Sequence, residues 1–166
     1  MRILMLAMMG PFVAILVPMF QMFSKMKLMN NALGFVLPNI STPFLIMLFR
    51  SNARAFPKEI IEASRIDGLS ELGIFLRMFV RTMRPTYAAA ASITFMNAWN
   101  AYLWPRVIMK TNESITMPIL VSNLMGGYVV DYGMVMTGVT ICTLPTVFIF
   151  FFLQKGFTEA IAGVVK

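Results

Sequence analysis

Residues 57–85 read PKEIIEASRIDGLSELGIFLRMFVRTMRP, a charged, helix-forming insert between strongly apolar stretches. Pro57 suits a first helical turn, and Glu59 just after it complements the helix dipole. Lys58 and Glu62 stand four apart and can pair on one face. Gly68 is placed to end this helix in a left-handed cap. Ser70 can cap a second helix, on which Leu72 and Leu76, and Phe75 and Phe79, recur four apart. The segment therefore predicts a helical hairpin. Arg77, Arg81 and Arg84 recur at helical spacing just before Pro85, where they can meet anionic head groups.

The flanking sequence predicts where this hairpin sits. Of the 166 residues 58% are hydrophobic and only 13% charged, against about 45–50% and about 25% in a typical soluble domain. Mean hydropathy is +0.76. Four stretches are long and apolar enough for a bilayer, which needs about 20 helical residues: 3–22, 32–49, 86–104 and 133–153. The first lacks a small-residue cleavage site, and its apolar run is too long for a signal peptide. Prolines interrupt three of the four: Pro11 and Pro18, Pro38 and Pro43, and Pro145. Each removes an amide donor and tends to kink a helix, so neighbouring helices must satisfy the freed carbonyls. The fold class expected is an all-α membrane protein, a bundle of about four transmembrane helices.

A net charge of +7 invites a nucleic-acid reading, but the basic residues flank apolar segments and form no continuous groove. They fit a topological role instead. With residues 50–85 inside, the cytoplasm holds Arg2, Arg50, Arg54, Lys58, Arg65, Arg77, Arg81, Arg84, Lys155 and Lys166. Only Lys25, Lys27, Arg106 and Lys110 are left outside. The positive-inside rule then places both chain ends in the cytoplasm. The chain has no histidine and one cysteine, Cys142. Imidazole catalysis and an intrachain disulfide are excluded, and Cys142 reads as a small packed hydrophobe.

The string Glu62-Ala63-Ser64 followed by Asp67-Gly68, between spans and ahead of an apolar run into Pro85, resembles the EAA loop of ATP-binding-cassette (ABC) importer permeases. An ordinary hairpin packed on its own bundle shares the periodicity but not this string. The resemblance extends to most of the chain, on the side of the MalF/MalG sugar permeases and closest to MalG. Leu28–Gly34 (LMNNALG), Leu37–Phe44, Thr94–Pro105 (TFMNAWNAYLWP), Thr116–Ile119 and Ala162–Lys166 carry it. Two departures stand out. Ser64 replaces the commoner alanine, and Arg81 falls where that family has proline, leaving the bend before the third span to Pro85. The chain matches the last four of the family's six spans, as a fragment, a misassigned start or a shortened gene would. Residues 1–166 then form one partial transmembrane domain, with residues 50–85 as its cytoplasmic coupling loop.

The resemblance implies a multi-pass permease subunit of a bacterial or archaeal cytoplasmic membrane, importing a carbohydrate, an oligosaccharide or disaccharide. The alternatives are a polyol, sugar phosphate or non-sugar solute, or a non-transporting membrane fragment. It implies as partners an ABC ATPase dimer, a second MalF-like permease, an extracytoplasmic solute-binding protein and membrane lipid, and no nucleic acid. Glu62, Ala63, Ser64, Asp67 and Gly68 would couple to the ATPase. Small residues there keep the helix surface low, so that a partner can approach the backbone closely. The C-terminal residues 160–166 would reach toward the ATPase.

The third span carries a polar stripe at helical steps: Thr86, Ala90, Thr94, Asn97 and Ala101. Thr94, Asn97, Trp99, Asn100 and Tyr102 are candidates for the translocation pathway or a subunit interface. Amides in hydrocarbon need partners or a wet cavity, and aromatic rings can stack on pyranose faces. An interfacial aromatic belt with asparagines bonding between helices is the plainer reading of the same residues. Gly133, Thr137, Thr140 and Leu144, with Gly138 and Cys142, fit close helix packing. Pro118–Met125 reads as a short interfacial helix ended by Gly126 and Gly127. There is no phosphate-binding G-x-x-x-x-G-K-[ST] loop, no carboxylate pair inside the spans and no metal-ligand cluster. The chain is thus not expected to be an enzyme or to hold a cofactor, and ATP would bind another subunit.

Overall fold

The computed structural model describes residues 2–162, and the described chain is helical with no strand. The elements are α1 (Arg2–Met9), α2 (Phe12–Lys25), α3 (Ala32–Val36), α4 (Pro43–Arg54), α5 (Lys58–Ile66), α6 (Glu71–Gly73), α7 (Val80–Thr82), α8 (Arg84–Trp99), α9 (Leu103–Ile108), α10 (Met117–Leu124) and α11 (Tyr132–Ala162). A short 3₁₀ turn, Leu37–Asn39, follows α3, and a π-helical stretch, Ile74–Phe79, joins α6 to α7. The expected C-terminal segment 160–166 lies beyond the described residues from 163 onward.

The expected spans are realised unevenly. Gly10 and Pro11 break the first into α1 and α2, because Pro11 takes an extended conformation and precedes a new helix. Residues 40–42 break the second between the 3₁₀ turn and α4. The third ends at Trp99, where residues 100–102 leave the helix before α9. At 14 and 16 residues, α2 and α8 rise about 21 and 24 Å, less than a hydrocarbon core of about 30 Å. Among the described residues one helix is long and apolar enough to cross a membrane, Tyr132–Phe152 of α11, or two if Ala32–Asn39 and Pro43–Arg54 count as one broken span. Pro145 does not interrupt α11, contrary to expectation. Thr137, Thr140 and Thr143 each donate to the carbonyl four residues back at 2.8 Å, as hydroxyls do in apolar helices. The Trp99 indole donates to the Cys142 carbonyl at 2.8 Å, next to the carbonyl that Pro145 leaves without its amide.

The chain divides into two compact units. One takes residues up to Pro43 and then Thr94–Ile149. Its core is Phe23, Trp104, Ile108 and Met109, flanked by Leu16, Met19, Leu28 and Phe35. Phe23 meets Trp104 edge to face, with centroids 5.2 Å apart, the arrangement the ring quadrupoles favour. The buried Trp104 indole donates to the Gly34 carbonyl at 3.1 Å. Gly34 must be glycine, because a Cβ there would lie 2.1 Å from the Leu28 carbonyl oxygen. On α11, Gly138 faces Val121 and Leu124 of α10.

The other unit holds Phe44–Ile93 and the end of α11 from Phe150. Ser64, Ile74, Phe56 and Met83 are buried there, with Thr86, Ala89, Ala90 and Ser92 of α8. Phe79 joins them, 5.3 Å from Phe56 and 5.6 Å from Phe75, and Phe49 lies 5.0 Å from Tyr87. Large apolar side chains face outward along α11: Ile141, Leu144, Phe148, Phe151 and Phe152 are all more than half exposed. An apolar surface of that extent needs lipid or a partner to cover it.

Candidate functional site

The hairpin of residues 57–83 is built by its caps. Pro57 holds an extended conformation and is the residue before α5, one position earlier than expected. At the far end Gly68 adopts φ +79°. The Gly68 amide donates to the Arg65 carbonyl at 3.0 Å and the Leu69 amide to the Ser64 carbonyl at 3.1 Å. That pair of bonds is the Schellman arrangement, which satisfies carbonyls a helix end would strand. The next limb starts at Ser70, whose hydroxyl accepts from the Gly73 amide at 3.3 Å. Arg65 reaches across the turn to Glu71, with nitrogens 2.8 and 2.9 Å from one carboxylate oxygen. The expected Lys58–Glu62 pair is thus replaced by one that ties the two limbs together. Exposed pairs of this kind contribute about 0–1 kcal/mol, so its effect is on the angle of the hairpin more than on its stability.

This folding sorts the five coupling candidates. Glu62, Ala63, Asp67 and Gly68 are exposed. Ser64 is not: it is 3% exposed and its hydroxyl donates to the Ile60 carbonyl at 2.6 Å. Its small size serves packing within the chain, not approach from outside. Sequence reading passed over Ile66, which is 87% exposed between Arg65 and Asp67. Its signal was available: an apolar residue two positions before the cap glycine, on the charged end of the helix. Leu72, Phe75 and Leu76 are also exposed on the second limb, leaving the hairpin with an acidic tip and an apolar flank.

The second group of candidates scatters. Thr94 is half-buried, Asn97 is exposed, and the Asn100 amide turns back to the Met96 carbonyl at 2.9 Å to close the end of α8. Trp99 stacks on Phe95 at 5.7 Å. These two rings line a cavity of about 370 Å³ with Phe35, Ala98 and Ile115–Pro118, and of the five candidates only Trp99 reaches it. The Thr116 hydroxyl, also in its lining, has no hydrogen-bond partner among the described residues. Tyr102 points elsewhere. Its hydroxyl bonds the Ser122 hydroxyl at 2.9 Å, while the Arg106 guanidinium covers its ring at 5.5 Å and donates to Asn123 at 3.3 Å. These contacts fix α9 against α10.

Asn30 was missed as an individual residue. It sits at φ +53°, a conformation asparagine tolerates. Its side-chain oxygen accepts from the amides of Lys110 and Thr111 and the hydroxyl of Ser114. Its own amide donates to the Ile108 carbonyl. One asparagine thus organises a loop 80 residues further on. Asn30→Ala should speed amide hydrogen exchange across residues 109–114 while leaving residues 57–83 unchanged.

With these elements placed, the relatives can be read. A family model described as the binding-protein-dependent transport system inner membrane component matches residues 1–162. The chain belongs to this family. That description makes its members inner-membrane components of transport systems. A lactose transport system permease protein of Rhizobium radiobacter is 40% identical over 164 residues, 99% of this chain and 60% of that protein. An arabinooligosaccharides transport system permease protein of Bacillus subtilis is 32% identical over 165 residues, 99% of this chain and 59% of its own. An sn-glycerol-3-phosphate transport system permease protein of Pectobacterium atrosepticum is 26% identical over 151 residues, 90% and 54%. The chain therefore spans about 60% of the length of such relatives. No solved structure matches it.

Proposed function

We propose that this family member is the membrane-spanning permease part of an ATP-driven importer for a carbohydrate, an oligosaccharide or disaccharide. The observation that carries the reading is the exposed, acidic-tipped hairpin around Glu62–Gly68, on a chain whose family match covers residues 1–162. In this reading four membrane crossings use the broken segments α1–α2 and α3–α4 together with α8 and α11. The hairpin faces a cytoplasmic ATPase dimer, a second permease completes the pathway, and a binding protein delivers the solute. Alternating access follows when closure of the ATPase moves the hairpin. The glycerol-phosphate relative supports a second reading, in which the solute is a sugar phosphate or polyol. Uptake of labelled lactose, arabino-oligosaccharide and glycerol 3-phosphate by cells carrying the complete system separates the two. Import of glycerol 3-phosphate alone would reject the carbohydrate reading.

The charge distribution predicts the orientation. With Cys142 replaced, Glu113→Cys should react with an impermeant thiol reagent in intact cells, and Lys58→Cys should react only after lysis. Both positions are exposed. Ser114 is avoided, because its hydroxyl is tied to Asn30 and Thr111. The reverse pattern would invert the topology.

A further inference from the structure

We propose that Arg77, Arg81 and Arg84 form a binding site for the phosphate of an anionic membrane lipid, a phosphatidylglycerol-type head group. The three line one depression of about 440 Å³ with Leu76, Met78 and Val80. The π-helical stretch Ile74–Phe79 and the break at Met83 set their spacing. All three arginines are exposed, and among the described residues none makes an ion pair. The carboxylate of Glu71, on the same limb, is engaged by Arg65. Three guanidiniums around one depression repel one another unless an anion sits among them, and the planar fork of arginine matches phosphate oxygens two at a time.

Position in the chain identifies the anion as lipid. Arg84 opens α8, and no charged residue follows it until Arg106. The arginines therefore stand within about two turns of the point where the chain becomes uncharged, the level at which head groups lie if α8 enters the membrane. The rest of the lining is apolar, with Leu76 57% exposed. That surface suits glycerol and the upper acyl chain and gives nothing to a free phosphate ion. The site would bind lipid beside the moving hairpin, on the limb opposite Glu62 and Asp67. The inference rests on the membrane-permease reading above but not on which solute is carried.

The test uses the complete transporter in membrane vesicles with a photoactivatable phosphatidylglycerol, and peptide mass spectrometry to locate the adducts. Adducts are expected on residues 74–85, and unlabelled phosphatidylglycerol should suppress them while phosphatidylcholine does not. Arg81→Gln should lower their yield by about fivefold, and replacing all three arginines by on the order of a hundredfold. Arg50→Gln with Arg54→Gln, basic residues outside the depression, should leave the yield unchanged. Thiol labelling at Glu113→Cys confirms insertion of each variant. Undiminished adducts in an inserted triple variant would overturn the proposal. So would equal suppression by inorganic phosphate, which would make this a soluble-anion site. Adducts that appear only after the ATPase is stripped away would also overturn it, because an acidic partner surface would then own the arginines. A complex with normal adducts that imports glycerol 3-phosphate and no carbohydrate would count against the carbohydrate reading alone.

Discussion

Gly34→Ala should abolish most folded protein, the largest effect expected of any single methyl group in this chain. The added Cβ would lie 2.1 Å from the carbonyl oxygen of Leu28 and 3.2 Å from its carbonyl carbon. Both are backbone atoms, so no side chain can rotate away. Relief requires α3 to lift from the turn that precedes it. That turn is held by Leu28 donating to Phe23 and Asn30 donating to Ile108, each at 3.0 Å. Lifting α3 also pulls the Gly34 carbonyl from the Trp104 indole, a buried donor in the core. Overpacking costs about 1–3 kcal/mol and an unsatisfied buried donor about 1–3 kcal/mol more, a large share of the stability of a domain. Monodisperse yield in detergent and the thermal midpoint measure it. Gly126→Ala is the control, since its Cβ would meet only the Asn123 carbonyl at an ordinary 3.5 Å. Equal yields for the two variants would show that α3 has room to move.

The contrast between Gly34 and Gly68 shows what the sequence made legible. Gly68 and Ser70 declare themselves locally: a glycine after a helical run and a serine before the next are read from neighbours within four residues, and both caps form. The hairpin was therefore predictable as a unit. Gly34 is required because the chain doubles back so that α3 meets the Leu28 carbonyl, and Asn30 holds a loop 80 positions later; neither contact follows from local propensity. Ser64 shows a subtler limit. Periodicity identifies two faces of a short helix but not which faces inward. Here the inward face is the one that carries Ser64, in a unit where the segment Ile74–Phe79 packs against α5. The spans failed in their ends for a related reason. Hydropathy totals the side chains over a window, whereas Pro11 and the turns at residues 40–42 and 100–102 act on individual backbone bonds. Pro145 reversed the expectation, since α11 runs through it unbroken. In the same way the polar stripe on α8 was legible as a pattern, while its division into buried Thr86, exposed Asn97 and a self-capping Asn100 was not.

Gly68→Val should reduce transport by about tenfold or more while leaving membrane insertion intact, and Gly68→Asn should retain most of it. Valine at φ +79° carries a cost of about 1–2 kcal/mol that glycine escapes, and β-branching adds to it. The cheapest escape is to unwind the end of α5, which breaks the Leu69–Ser64 and Gly68–Arg65 bonds and swings Arg65 away from Glu71. Ile66, Asp67 and the acidic tip would then lose the placement proposed for contact with the ATPase. Within this chain the effect is conformational, since nothing lies within 4 Å of where the Cβ would be. Asparagine separates the two possible demands on this position. It enters the left-handed region readily but presents a side chain to whatever docks outside. Transport by Gly68→Asn would show that the cap alone requires glycine. A well-inserted Gly68→Asn protein that no longer co-purifies with the ATPase would show instead that the partner approaches the backbone too closely for any side chain. Glu62→Lys, at an exposed position away from the cap, changes charge without changing the turn and should also uncouple transport. Normal uptake by both Gly68→Val and Glu62→Lys in a complete complex would remove the coupling role from this hairpin.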